Sequence, residues 1–402
     1  MHILFVSPTP PVPTSGGRTR LYNLIKQLAT RHEISLLTFV QPGEQDMLGA
    51  AKPHLQVVQS VSFAAFPTLG VWQNRFDGWK RILLSPRPRY AMIFPTDQLR
   101  GPLRRLIATH RFDVVILQPL YVAELSDEIR ETPVILATEN VESEIARRNL
   151  ANARNAVHRL RDWLEWRKLR DYEHRIVRRF RVCTAVSALD AAALNRIAPY
   201  AETYLVPNGV DTQAYLPEGH TRRPNEILFF GTLNYAPNAE GIAWFCRDVL
   251  PHVRAEIPDA RLAIVGRDAP ERVRELAACP GVELVGFVPD VRDRLWSATL
   301  SIAPLHSGGG TRLKILEAFA AKCPVVSTTV GVEGLEVRND EHVIIGDSAE
   351  EFSRGIVNLL QDPDARARLT ENARQLVEQR YDWQLIAVTL EQACVRAKQL
   401  FG

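Results

Sequence analysis

Short, uninterrupted runs of Val, Ile, Leu and Phe recur along this chain, each followed by a segment with helical spacing. The first are residues 2–7 (HILFVS), 32–40 (HEISLLTFV), 114–119 (VVILQP), 133–139 (PVILATE) and 182–187 (VCTAVS). A strand that is apolar at every position, rather than at every second one, needs cover on both faces. A parallel sheet with helices on either side provides it, and right-handed crossovers join its strands. The expected fold class is α/β.

The pattern starts twice. Residues 204–211 (YLVPNGVD) lead into a polar stretch with Pro217, Gly219, Pro224 and Asn225, and a new series opens at 226–231 (EILFFG). It continues through 261–266, 282–287, 300–305, 323–329 and 342–346. A chain of 402 residues has length for two cores. The expectation is two tandem, doubly wound, Rossmann-like domains facing a cleft. They would comprise residues 1–206, a linker at 207–225, and residues 226–383. The helical pattern at 384–402 is a candidate to pack back on the first domain. Such sheets bind ligands outside the carboxyl ends of their strands.

Composition removes several classes of function. A formal net charge of +3 is too small for a dedicated nucleic-acid binder, so no nucleic-acid partner is expected. The five cysteines are scattered without close pairs, which fits reduced thiols and neither a zinc site nor a disulfide framework. The histidines have no ligand spacing, and no metal is expected. The opening run of residues 1–6 is too short for a signal peptide, and no stretch approaches the ~20 apolar residues of a membrane span. The reading is a cytoplasmic protein, with peripheral contact at the inner face of the membrane left open.

The sharpest segment is 306–318, HSGGGTRLKILEA. Gly308, Gly309 and Gly310 allow close backbone approach to a ligand, and Thr311 leads into a helix start with free N–H groups that suit a phosphate. Arg312 and Lys314 place full positive charge where the helix dipole disfavours it, and an anionic partner would explain that. Glu317, one turn on, has the chemistry to accept hydrogen bonds from a ribose diol. The competing explanation is a flexible surface loop with solvated basic residues.

Here the chain resembles glycosyltransferase family four, which has the GT-B fold. The resemblance rests on VPNGVD (206–211), FFGTLNYAPN (229–238), LAIVGR (262–267), VELVGFVPDV (282–291) and LKILEAFAAKCPVVST (313–328). It implies that Glu317 holds the donor ribose as the second of two glutamates, and that the backbone at Gly286, Phe287 and Val288 borders the base. It also implies retention of anomeric configuration and no metal. No cofactor is expected, a nucleoside diphosphate sugar being the donor substrate, with a UDP-sugar favoured.

Three positions depart from the family pattern. The first glutamate of the pair falls at Gly309. The arginine expected just after Gly231 is Thr232, and the lysine expected a few residues on is Asn238. Those cations neutralise the leaving diphosphate, so Arg312 and Lys314 are read as a relocated charge clamp, as in the family subset with a GGGTRLK loop.

The first half matches more weakly, through PTPPVPTSGGRTRLYNLIKQLA (8–29). Gly16 and Gly17 would approach the donor phosphates, while Arg18 and Arg20 either touch phosphate or are solvated. Glu139, Asn140 and Glu142 stand where relatives carry a histidine. Glu139 and Glu142 are candidates to orient sugar hydroxyls or to activate an acceptor, the alternative being helix-start acids.

Residues 147–181 are rich in arginine, with Leu160, Trp163, Leu164, Trp166 and Leu169 at helical spacing. Two readings stand. One is a basic amphipathic helix on an anionic membrane. The other is an ordinary helix whose apolar stripe is core and whose arginines pair with Asp162, Glu165, Asp171 and Glu173. A second basic stretch, 79–90, is read as a loop-rich insertion that could border an acceptor site.

The expected activity is transfer of a hexose from a nucleoside diphosphate sugar to a hydroxyl acceptor, either a saccharide or a lipid-linked one. The alternatives are a sugar-nucleotide epimerase of the same fold and a non-catalytic nucleotide-sugar-binding protein.

Overall fold

A computed structural model describes residues 1–13, 16–41, 45–63, 85, 87–151, 155–216, 221–308 and 312–401. The chain divides into two compact units, Met1–Pro207 with Ile386–Gly402, and Asn208–Leu385.

The first unit is built on a parallel sheet. Its strands are β1 (His2–Ser7), β2 (Glu33–Val40), β3 (Val57–Ser62), β4 (Val114–Leu117), β5 (Val134–Ala137), β6 (Val182–Ala185) and β7 (Glu202–Leu205). They lie in the order β3-β2-β1-β4-β5-β6-β7, so the chain reverses its direction of growth between β1 and β4. Its described helices are α1 (Gly16–Leu28), α2 (Asp97–Thr109), α3 (Glu142–Ala151), α4 (Ala156–Val177) and α5 (Ala188–Ile197). All four apolar residues of β1, Ile3 to Val6, are fully buried, as a strand covered on both faces requires. β3 was not among the expected strands. Its sequence VVQSVS alternates and is only half-buried, because it lies at the end of the sheet order, where the continuous-run criterion fails.

The second unit repeats the plan. Strands β8 (Glu226–Phe230), β9 (Arg261–Val265), β10 (Val282–Gly286), β11 (Leu300–Ala303), β12 (Val325–Ser327) and β13 (Ile344–Ile345) are parallel, in the order β10-β9-β8-β11-β12-β13. Its helices are α6 (Ala236–Trp244), α7 (Leu250–Glu256), α8 (Glu271–Arg274), α9 (Arg292–Ser297), α10 (Leu313–Ala320), α11 (Ala349–Gln361) and α12 (Pro363–Arg380). Residues 239–253 (AEGIAWFCRDVLPHV) have the apolar spacing of a single helix. A π turn at Phe245–Val249 separates α6 from α7, and the Leu250 N–H reaches back to Phe245 O. Pro251 follows directly, and the wider turn relieves the clash its ring would make with a preceding carbonyl. Phe352 of α11 packs edge-on to Trp244 and Phe245, with ring centroids 5.5 and 6.1 Å away.

The last helix, α13 (Trp383–Phe401), belongs to the first unit from Ile386 onward. There Glu391 pairs with Arg31 (2.8 Å), Arg396 with Glu202 (2.6 Å) and Lys398 with Asp113 (2.6 Å). The two parallel α/β sheets expected from the sequence are both present.

Candidate functional site

In the second unit the site grows from the carboxyl ends of β8 and β11. β8 ends at Phe230, and Gly231 follows with φ of +149°, which disfavours any side chain. A Cβ at Gly231 would lie 3.0 Å from Lys314 Nζ. The Lys314 ammonium, from the first turn of α10, donates to Asn238 Oδ1 at 2.9 Å and lies 4.2 Å from the Phe229 ring centroid. Asn238 in turn donates through Nδ2 to the Thr232 carbonyl, at 2.8 Å. Thr232 and Asn238, the two positions without the family cations, thus frame the ammonium of a third residue. Loss of surrounding water and the nearby Arg312 guanidinium push the Lys314 pKa down to about 7, with Glu317 opposing.

Arg312 is buried and stands at the N-cap of α10 rather than within its first turn. Gly308 adopts φ of +104°, and a Cβ there would sit 2.9 Å from Tyr235 Oη and 3.2 Å from Arg312 Nη2. The phenol and the guanidinium therefore close on the loop at a position that only glycine leaves open. Gly309, Gly310 and Thr311 lie outside the described residues. His306 packs edge-on to Trp244 at 4.4 Å.

The Glu317 carboxylate accepts a hydrogen bond from Tyr215 Oη at 3.0 Å. Burial raises the Glu317 pKa, while the Tyr215 hydrogen bond and Lys314 pull it back. Tyr215 is itself anchored, its carbonyl receiving Trp296 Nε1 at 3.2 Å. Phe287 follows β10 and is exposed beneath the Arg267 guanidinium, 5.1 Å from the ring centroid. Val288 packs partly into the core beside α9 and α10. The set offers two cations, a glycine-lined approach and one buried carboxylate, which is chemistry for a phosphate and a diol. Arg312, Lys314 and Glu317, singled out from the sequence, lie together, and Tyr215 and Asn238, which it did not single out as partners, hold two of them. No local motif flags a tyrosine about a hundred residues away from its carboxylate partner.

The first unit carries a second polar cluster at the carboxyl ends of β4 and β5. Glu139 Oε1 accepts from Gln118 Nε2 at 3.0 Å, and a Cβ on Gly17 would lie 2.7 Å from Glu139 Oε2. The carboxylate therefore lies against the amino end of α1, which opens with Gly16 and Gly17. Arg20 corrects an expectation, being neither solvated nor free for a phosphate. It is 1% exposed and donates to the Val206 and Pro207 carbonyls at 2.7 and 2.6 Å. Burial lowers its pKa to about 10, with Glu139 opposing.

Glu142 stands in the first turn of α3, yet the free N–H groups there belong to another acid. Buried Glu173 accepts from the N–H of Glu142 and of Ser143, at 2.8 and 3.1 Å. The Glu142 carboxylate instead accepts from Tyr90 Oη at 2.9 Å and Asn140 Nδ2 at 3.4 Å. Its pKa rises to about 7, first through burial and then through Glu173 and Glu139. The Tyr90 ring stacks on Tyr121 at 3.8 Å. Most of the 79–90 stretch lies outside the described residues.

Two family models match the chain. The model for Glycosyltransferase Family 4 covers residues 14–214, half of the chain, and that for Glycosyl transferases group 1 covers residues 224–362. The chain belongs to glycosyltransferase family 4. Among curated proteins, this glycosyltransferase is 26% identical over 232 residues to a phosphatidyl-myo-inositol mannosyltransferase of Mycolicibacterium smegmatis, covering 55% of this chain and 58% of that protein. It is also 26% identical over 164 residues to an uncharacterised 44.6 kDa protein of the Klebsiella pneumoniae cps region, covering 39% of this chain and 42% of that protein. The chain thus spans about half the length of the curated relatives it matches. Solved structures share the fold over its whole length. Anabaena HepE, crystallised with UDP and glucose, superposes with a TM-score of 0.67 at 15% identity, covering 98% of this chain and all of that one. Sucrose-phosphate synthase of Thermosynechococcus elongatus gives 0.73 at 17% identity, covering 100% of this chain and 99% of that one.

Proposed function

We propose that this glycosyltransferase moves a hexose from a nucleoside diphosphate sugar to a hydroxyl acceptor, with retention at the anomeric carbon. The observation that carries the reading is the Lys314 ammonium lodged between Gly231, Asn238 and Phe229, with Arg312 beside it. The hard step in such a reaction is to stabilise the diphosphate as its bond to the sugar breaks. Fixed cations that need no reorganisation do this best. In this reading Arg312 and Lys314 replace the cations absent at Thr232 and Asn238, as a GGGTRLK loop variant of the family.

Glu317 takes the ribose hydroxyls, Gly231 and Gly308 line the phosphates, and Phe287 and Val288 border the base. Within the first unit, the reading assigns Gly16 and Gly17 to a phosphate and Glu139 to an acceptor hydroxyl. The charge is supplied by the chain itself, so the reading includes no resident cofactor. A UDP-sugar is the favoured donor, supported by the UDP bound in Anabaena HepE. The acceptor is a saccharide or a lipid-linked one, supported by the name of the mycobacterial relative.

The test is a thermal-shift screen with UDP-, GDP- and ADP-sugars, followed by product analysis with and without acceptors. Arg312→Ala and Lys314→Ala are each expected to cut turnover about a hundredfold while the chain stays folded. Near-wild-type turnover in both would remove the charge clamp. Sugar isomerisation without acceptor would replace transfer by epimerisation.

A further inference from the structure

α4 divides into two halves with different surroundings. Toward its carboxyl end, Leu169, Tyr172, Ile176 and Val177 are buried, as the core reading of this segment expected. Toward its amino end the apolar residues face outward. Val157, Leu160 and Trp163 are 62%, 59% and 38% exposed. With Arg167 and Arg170 they follow one another at intervals of three and four, which on an α-helix makes a single stripe.

Arginines outnumber acids around that stripe. Arg167 and Arg170 lie over the rings of Trp163 and Trp166, at 5.6 and 5.0 Å from the centroids, and Arg159 is exposed nearby. The acids are engaged elsewhere. Glu165 accepts the Arg89 N–H at 3.1 Å, Asp162 pairs with Arg161 at 2.8 Å, and Glu173 caps α3. Asp171 is the acid nearest the stripe, and it pairs with Arg170 at 3.0 Å. An apolar and aromatic strip rimmed by arginines matches the boundary of a bilayer with acidic headgroups. There the rings enter the acyl edge and the guanidinium groups stay at phosphate level. Among the described residues no helix is long and apolar enough to cross a membrane, so this contact is a lateral one.

We propose that the outward stripe of α4, centred on Leu160 and Trp163, docks this protein on an anionic lipid surface. The inference is independent of the transferase reading, because lipid binding is measured without turnover. The experiment is co-sedimentation of the full chain with phosphatidylcholine vesicles and with vesicles enriched in phosphatidylglycerol, at low and high salt. Binding to the anionic vesicles is expected, weaker on phosphatidylcholine alone and weaker at high salt.

Leu160→Glu together with Trp163→Glu should lower that binding about tenfold or more. Arg167→Glu together with Arg170→Glu should remove most of its salt dependence. Both pairs sit on the surface, so far-UV circular dichroism and the melting temperature without lipid should match wild type. Three results would overturn the proposal. The first is failure to sediment with anionic vesicles, and the second is equal binding by wild type and the Leu160/Trp163 variant. The third is self-association without lipid that this variant abolishes, which would make the stripe an interface between copies.

Discussion

Lys314 donates to Asn238 across 2.9 Å, joining the first turn of α10 to a residue of α6. A side-chain amide oxygen is a good partner for an ammonium but does not neutralise it. Arg312 repels the same group, and Glu317 is the acid that opposes. The ammonium thus waits in a recess with one neutral partner, over an aromatic face, and with a pKa near 7. That arrangement costs stability, and a bound anion would relieve it.

A pH dependence follows. Between about pH 7 and the ordinary lysine range, the empty folded chain holds Lys314 neutral while the unfolded chain holds it charged. The unfolded state then binds more protons, so this lysine makes stability rise with pH across that window. The diphosphate of a nucleotide sugar does not titrate there, and it favours the charged lysine. Its affinity should therefore fall as pH rises above 7, by up to about tenfold per unit. Calorimetry in buffers of different ionisation enthalpy should show proton uptake on binding. Lys314→Met should bind more weakly at pH 7 and lose the slope. Parallel profiles for wild type and variant would refute the assignment.

Tyr215 should act through Glu317. Its hydroxyl spends a hydrogen bond on Oε1 and helps keep a buried carboxylate ionised. In Tyr215→Phe the Glu317 pKa should climb, moving the acid limb of donor binding to higher pH. The donor KM should rise about threefold to tenfold with kcat nearly unchanged. Steady-state kinetics from pH 5 to 8 decide it. An unmoved acid limb would mean that the tyrosine is only packing.

The continuous apolar runs made both sheets legible, since a strand covered on two faces has few other ways to be written. β3 escaped because its residues are half polar and half-buried. At the site, the sequence displayed charge but not partnership. Arg20 reads like an exposed cation beside a glycine loop, yet it is buried against two carbonyls that follow some 186 residues later. Glu173 reads like one more charge on an arginine-rich helix, yet it caps a different one. Such roles depend on where the chain returns, which local spacing does not encode.

Glu142 offers a separate test of the first unit. Its pKa is raised to about 7, so between about pH 4.5 and 7 the folded chain keeps a proton that the unfolded chain has released. Its contribution therefore makes stability fall as pH rises through that window. Glu142→Gln removes the titration while leaving an oxygen to accept from Tyr90. The variant should be more stable than wild type at pH 8, by about 1 to 3 kcal/mol, and close to it at pH 4.5. Chemical denaturation at the two pH values measures the difference, and an equal gain at both would rule out the titration of Glu142 as its source.

Arg20 closes the set, because it separates a structural role from a chemical one. Its guanidinium satisfies the Val206 and Pro207 carbonyls in a place that water hardly reaches. Truncation leaves two acceptors, Val206 fully buried and Pro207 partly so, without their donor and a cavity beside them, so Arg20→Ala should cost about 3 kcal/mol or more. Arg20→Lys should recover only part of this, since one ammonium does not reproduce the two-pronged geometry of the guanidinium. A phosphate-binding arginine would behave differently, leaving the melting temperature alone and weakening the donor. Denaturation midpoints should therefore drop in both variants, while the donor dissociation constant of the remaining folded protein stays within about threefold of wild type. A normal midpoint with a large loss of donor affinity would return Arg20 to the phosphate site.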